Sequence, residues 1–142
     1  METIAQLIES KGGQVWSIGP NSNVYSAIEK MAEKNTGALA VVTDEKLVGI
    51  ISERDYTRKV ILDGKSSNTT LVSEIMTSNV ITASSGQKIS ECMAIMDDKG
   101  FRHMPVLDGE NLVGMLSLRD LVKVILQNNE ILIKDLESYI NA

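Results

Sequence analysis

The sequence predicts a mixed α/β (α+β) fold: two tandem β-α-β-β-α units packed with pseudo-twofold symmetry, with further helices at the N- and C-termini. Three observations carry this. GIISERD at 49–55 returns as GMLSLRD at 114–120, with Ser52 and Ser117 standing 65 residues apart. Sliding the chain by that period aligns 15–62 with 80–127 without a gap, matching Val15 with Val80, Met31 with Met96, Val41 with Val106 and LVG 47–49 with LVG 112–114. Within each copy the apolar spacing also switches between strand and helix periods in the same order. A repeat this long marks duplicated units of domain size rather than solenoid turns.

The elements follow in chain order. IAQLIES 4–10 has the look of a short leading helix. VWSI 15–18 reads as a strand, GPNSN 19–23 as a turn, and Val24, Ile28 and Met31 recur at helical spacing. ALAVV 38–42 and LVGII 47–51, joined by the four residues TDEK, read as a hairpin, after which Tyr56 and Val60 return to helical spacing. DGKSSNTT 63–70 has the composition of a linker, and LVSEIM 71–76 forms one or two helical turns that mirror IAQLIES. The second copy repeats the pattern with VIT 80–82, SSGQ 84–87, a helix through Ile89, Met93 and Met96, the strands HMPVL 103–107 and LVGML 112–116 joined by DGEN, and a helix through Leu121 and Ile125. The tail 128–142 places Leu132, Leu136 and Ile140 on one stripe, suited to docking against the module or a partner. The expected organisation is a single module over 1–142: a first motif at 12–62, a linker and short helix at 63–79, a second motif at 77–127 and an amphipathic helix at 128–142.

Composition narrows the function. A chain of 142 residues is about one domain long and can bury a proper core without staples. The single Cys92 cannot close an intramolecular disulfide, which fits a reduced compartment such as the cytoplasm. No stretch approaches the ~20 apolar residues of a membrane span, and the start lacks an apolar signal core. A net charge of −5 argues against sequence-independent nucleic-acid binding, so any anionic ligand must meet a local basic cluster. His103 is the only histidine, which leaves no histidine-based metal cluster, and neither a Walker-type phosphate loop nor G-x-G-x-x-G occurs. Cys92 aligns with Ala27 and reads as a small buried hydrophobe, Trp16 as core or cleft wall, and Tyr56 as packing. Asp97 and Asp98 are adjacent on a helix and diverge, as a solvated helix end would.

The repeated S-x-R-D supports two readings. Serine at an N-cap with a carboxylate three residues on is close to a capping box, which by itself explains Ser52 with Asp55 and Ser117 with Asp120. The second reading is a ligand site. Gly49 and Gly114 interrupt strands where another backbone or a ligand could approach closely. An aspartate at a strand-to-helix junction can accept two hydrogen bonds from a ribose diol. Arg54 with Arg58, and Arg119 with Lys123, put basic groups one helical turn apart beside a helix N-terminus, an arrangement suited to phosphate. Diol and phosphate together indicate a nucleotide.

With RHMPVLD 102–108 and MTSNVIT 76–82 added, the two motifs in register resemble a CBS-domain pair, or Bateman module, of the small stand-alone bacterial type, over about Val15 to Gln127. The resemblance implies a non-catalytic regulatory module that binds adenosyl ligands (AMP, ADP, ATP, NAD(H) or S-adenosylmethionine) in two crossed clefts. One cleft would combine Ser52, Arg54, Asp55 and Arg58 with Val80, Thr82, Arg102, His103, Met104 and Pro105. In it Asp55 would hold the ribose, Met104 and its neighbours would frame adenine largely through backbone groups, and the basic residues with His103 would face phosphate. The other would combine Ser117, Arg119, Asp120 and Lys123 with Ser17, Ile18, Pro20, Thr36, Gly37, Ala38, Leu39 and Ala40. Here GALAVV 37–42 stands where the family pattern has RHMPVL, which leaves Arg119 and Lys123 as the phosphate candidates. Unequal sites follow: the Ser52/Asp55 cleft is expected to suit di- or triphosphates or a dinucleotide, and the Ser117/Asp120 cleft AMP or no ligand. A homodimer and an unidentified regulated protein are the expected partners. A ligand-independent dimerisation or scaffold module is the alternative, and an enzyme acting on adenine nucleotides a distant third.

Overall fold

Each helix of the first half begins and ends where local chemistry dictates. In the computed structural model, which describes residues 1–141, Thr3 and Gln6 form a capping box that starts α1 (Ile4–Lys11), and Gly12 ends it. Asn23 accepts from the Ser26 N–H to start α2 (Val24–Lys34), and Asn35 ends it in the left-handed region at φ 53°. Between them lies β1 (Ser17–Ile18), and after them the hairpin β2 (Ala38–Thr43) and β3 (Lys46–Ser52). Ser52 then caps the single turn α3 (Glu53–Tyr56), which widens into a π-helical turn over Thr57–Ile61. After α4 (Val72–Ile75) come β4 (Ala83–Ser84), α5 (Ile89–Lys99), the hairpin β5 (His103–Asp108) and β6 (Asn111–Ser117), and α6 (Leu118–Asn141).

Two three-stranded sheets result, ordered β1-β2-β3 and β4-β5-β6, each with a parallel first pair and an antiparallel hairpin. The architecture is the expected α+β pair. Some bounds differ from expectation. The hairpins close with two residues rather than four; in the first, Asp44 and Glu45 both adopt positive φ (51° and 64°), a turn whose twist matches that of the flanking strands, and in the second Gly109 does so (61°). The first strand of the second copy forms at Ala83–Ser84, not at 80–82, because pairing to Val106 and Leu107 begins only there. No separate helix starts at 128. One 24-residue helix runs from Leu118 to Asn141, with Ala142 outside the described residues.

Each copy has its own core. Val24, Ala27, Met31, Leu39, Val41, Ile51 and Val60 fill the first. Ile89, Cys92, Met96, Met104, Val106, Leu116 and Leu121 fill the second. The short helices exchange allegiance: Ile4 and Leu7 of α1 join the second core, and Val72 and Ile75 of α4 join the first. Isolated bridges fix the exchange, Thr3 with Lys88 and Leu71 with Asn23. The strand glycines serve this packing. A Cβ on Gly49 would meet Met76 Sδ at 2.6 Å and the Thr77 carbonyl at 3.0 Å, and one on Gly114 would collide with Ile8. Chain, not ligand, occupies those spaces.

The tail does not dock against the module. Leu132, Leu136 and Ile140 are 57%, 53% and 78% exposed, and no residue of α6 beyond Val124 is buried. Among the described residues, no helix is long and apolar enough to cross a membrane.

Candidate functional site

The strand-to-helix junction of each copy projects a serine and an aspartate into a cavity walled by both copies. At the first, Asp55 Oδ2 accepts from the Ser52 N–H (2.9 Å) and Oγ (3.1 Å), while the Asp55 N–H donates back to Ser52 Oγ. At the second, Asp120 Oδ2 accepts from the Ser117 N–H, and Ser117 Oγ accepts from the Asp120 N–H, both at 3.1 Å. These are capping boxes, and each carboxylate also borders open space.

The first cavity, about 420 Å³, brings Ser52, Arg54 and Asp55 of the first copy against Val80, Arg102 and His103 of the second. Four residues named for this cleft lie outside its lining. Met104 and Pro105 are both buried on β5, the central strand of its sheet, with Met104 wholly inside the second core. Thr82 precedes β4 without lining the space, and Val80 with Ile81 takes that wall. Arg58 is solvent-exposed. The chain there widens into a π-helical turn, with bonds from Leu62 N–H to Thr57 and from Lys65 N–H to Val60 spanning five residues, and Lys59, four residues on from Asp55, pairs with its carboxylate (3.2 Å). Asn79, Phe101 and Glu53 also line the cavity without having been singled out, as does Gly37, which was expected only in the other cleft.

The second cavity, about 460 Å³, is the pseudosymmetric counterpart and joins Ser117, Arg119, Asp120 and Lys123 to Thr36, Gly37 and Ala38. Ser17, Ile18, Pro20, Leu39 and Ala40 do not line it. Leu39 and Ala40 are fully buried, Ser17 and Ile18 pair with β2, and the Pro20 carbonyl accepts from Ser73 at the start of α4. Trp16 and Gln14 hold the wall instead, the places Ile81 and Asn79 take in the first cavity.

The charge distribution differs from the sequence expectation. Lys11 and Lys34 enter the second cavity, so Arg119 and Lys123 are not its only cations. Lys34 Nζ sits 4.4 Å over the Trp16 ring, a cation–π contact. Lys11 Nζ donates to Asp120 Oδ2 and to the Met115 carbonyl, each at 2.7 Å. No signal near the S-x-R-D motifs marks Lys11, since it lies 109 residues from Asp120.

Burial pushes the Asp120 carboxyl up, but Lys11 and the Ser117 hydrogen bonds outweigh it and hold the group below its usual range. His103 lines both cavities, with its ring 3.2 Å from where a Gly37 Cβ would stand. Burial lowers its pKa first, then Lys11, with Asp120 opposing and Arg102 adding to the depression. Burial likewise raises the Cys92 thiol, with Glu91 adding to it, as suits a core side chain. The described residues hold no cluster of metal-ligating side chains.

Comparison with known proteins agrees with this architecture. The sequence model of the family described as CBS domain matches residues 10–61 and 72–127. CBSX3 of Arabidopsis thaliana, a mitochondrial CBS domain-containing protein, is 36% identical over 150 residues, covering 99% of this chain and 72% of that protein. A Burkholderia ambifaria structure, described as that of a signal-transduction protein with CBS domains, superposes with a TM-score of 0.85 at 44% identity, over 88% of this chain and 94% of that one. The CBS domain pair of MJ0100, solved in complex with methylthioadenosine and S-adenosyl-L-methionine, superposes with a TM-score of 0.80 at 23% identity, over 89% of this chain and 97% of that one. Two family matches on one small chain, each holding one sheet and one Ser-x-x-Asp junction, make it a CBS domain pair, and the chain belongs to the CBS domain family.

Proposed function

We propose that this chain is a non-catalytic sensor that binds an adenosyl ligand (AMP, ADP, ATP or NAD(H)) in the clefts between its two CBS motifs. Occupancy is transmitted to a regulated protein by a change in the relative setting of the motifs or in homodimer packing. CBS pairs are regulatory and signal-transduction modules, and the MJ0100 pair was solved with two adenosyl compounds. One observation carries the reading: each carboxylate at a strand-to-helix junction borders a cavity of 420–460 Å³ built from both copies, within the size range of small-molecule sites. A ligand held by both copies prefers one of their relative settings, and that differential affinity is the whole source of any switch.

Thermal-shift measurements with AMP, ADP, ATP, NAD, NADH and S-adenosylmethionine test this. A ligand at 100 times its Kd stabilises by about 2.7 kcal/mol. A second reading, a ligand-independent scaffold, is favoured by the capping boxes being complete without any ligand. The absence of a shift with all six compounds would leave the scaffold.

A further inference from the structure

In the second cleft the carboxylate that would receive a ribose is already covered from inside the cavity. Lys11 Nζ bonds Asp120 Oδ2 and the Met115 carbonyl. The lysine belongs to the last turn of α1, whose Ile4 and Leu7 are buried in the second core, so its position is set by tertiary packing. The first cleft has no such cover. Asp55 pairs with Lys59, which is tethered to the Ile75 carbonyl (2.9 Å) and does not line the cavity.

The charge balance differs in the same direction. Cations outnumber carboxylates four to one around the second cavity: Lys11, Lys34, Arg119 and Lys123 against Asp120. Around the first, Arg54 and Arg102 are matched by Glu53 and Asp55. A ribose diol that engages both oxygens of Asp120 must displace the Lys11 ammonium from Oδ2. An uncharged nucleoside would leave that cation without its anion. A ligand carrying phosphates offers a new one, and charge-assisted hydrogen bonds of this kind are the stronger ones.

We propose that Lys11 is a displaceable latch that makes the second cleft selective for adenosyl polyphosphates, with Lys34, Arg119 and Lys123 completing the phosphate subsite. The inference rests on the adenosyl-ligand reading above and reverses the order of the two clefts expected from sequence. Lys34 can join because its contacts, the Trp16 face at 4.4 Å and the exposed Glu33 carboxylate at 3.5 Å, hold it only loosely.

The test is calorimetry on the full chain carrying Asp55→Asn, which isolates the second cleft, titrated with adenosine, AMP, ADP and ATP. Affinity is expected to rise with phosphate number, with ATP at least about tenfold tighter than AMP. Adding Lys11→Met should weaken ATP about tenfold while leaving adenosine unchanged or tighter, and Lys11→Arg should restore the ranking. A flat or descending ranking overturns the latch, as does a Lys11→Met loss of equal size for every ligand, which marks a structural role. Where either of those results appears and the unsubstituted chain still binds some of these ligands, only the latch falls. If it binds none, the sensor reading falls and the latch with it.

Discussion

Ile8 of the N-terminal helix fills the space over Gly114 that any larger residue on β6 would need. Gly49 is the matching position on β3, but there the neighbours are the Met76 side chain and the Thr77 carbonyl. The two glycines are therefore equivalent in sequence and unequal in what they permit.

Alanine at the two positions separates them. In Gly114→Ala the added methyl meets the tip of a flexible side chain, and overpacking of this kind costs about 1–3 kcal/mol. In Gly49→Ala it also meets a backbone carbonyl held by the paired Ile50 and Thr77 hydrogen bonds, so the loss should be the larger of the two. Urea midpoints at constant m-value measure both, and equal losses would contradict the assignment.

Met104 is a core residue, fully buried with Val106 and Leu116. Met104→Leu conserves volume and should cost less than about 1.5 kcal/mol, whereas Met104→Ala should cost about 2–5 kcal/mol. Ligand affinity at saturating native-state stability should stay within about threefold for Met104→Leu, since a difference of 0.65 kcal/mol is roughly a factor of three. A larger change, read by calorimetry, would show that the Met104 side chain itself, and not only its backbone, shapes the adenine wall.

Asp55→Ala and Asp120→Ala each remove half of a capping box. Loss of a cap costs roughly 0.5–2 kcal/mol, which a thermal melt resolves. Under the sensor reading each variant also removes one of two binding events while leaving the other, so the calorimetric stoichiometry falls from two to one in both. Loss of both events in a single variant would mean that the clefts do not act separately.

His103 gives the fold a pH dependence. Its folded pKa lies below the ordinary value of 6.5, so the unfolded chain binds the proton more readily. Its contribution is therefore fully present above pH 6.5 and is lost as the pH falls from there through the folded pKa, with a limiting slope of about 1.4 kcal/mol per pH unit. His103→Gln should flatten that limb of a plot of urea midpoint against pH. Asp120, also depressed, acts lower: its contribution is present above 3.8 and declines as the pH falls through its own folded value. Asp120→Asn should remove that more acidic loss and, because the Asp120 charge opposes the depression at His103, extend the His103 limb to lower pH.

Removing 129–142 should leave the module's unfolding free energy within about 0.5 kcal/mol, because residues 129–141 are all exposed. If the apolar stripe of Leu132, Leu136 and Ile140 joins two copies, sedimentation will show the shortened chain as the smaller species. An unchanged mass would assign any dimer to the module surface.

The sequence by itself determined what depends on local periodicity. The 65-residue repeat, the β-α-β-β-α order and core pairs such as Ala27 with Cys92, Met31 with Met96 and Val41 with Val106 follow from spacings of two and of three to four residues, which a linear sequence displays directly. The paired Ser-x-x-Asp junctions were legible for the same reason. What the clefts contain was decided by packing between the copies. The exchange of α1 and α4 brings Lys11 to Asp120 across 109 residues, and the crossed docking brings Trp16 and Lys34 to the second wall. The burial of both Met104 and Pro105 likewise depends on β5 being the central strand of its sheet. None of these has a signal at short range, because hydrophobic burial is non-directional and only the complete set of packed surfaces fixes which polar residues are left facing the same cavity.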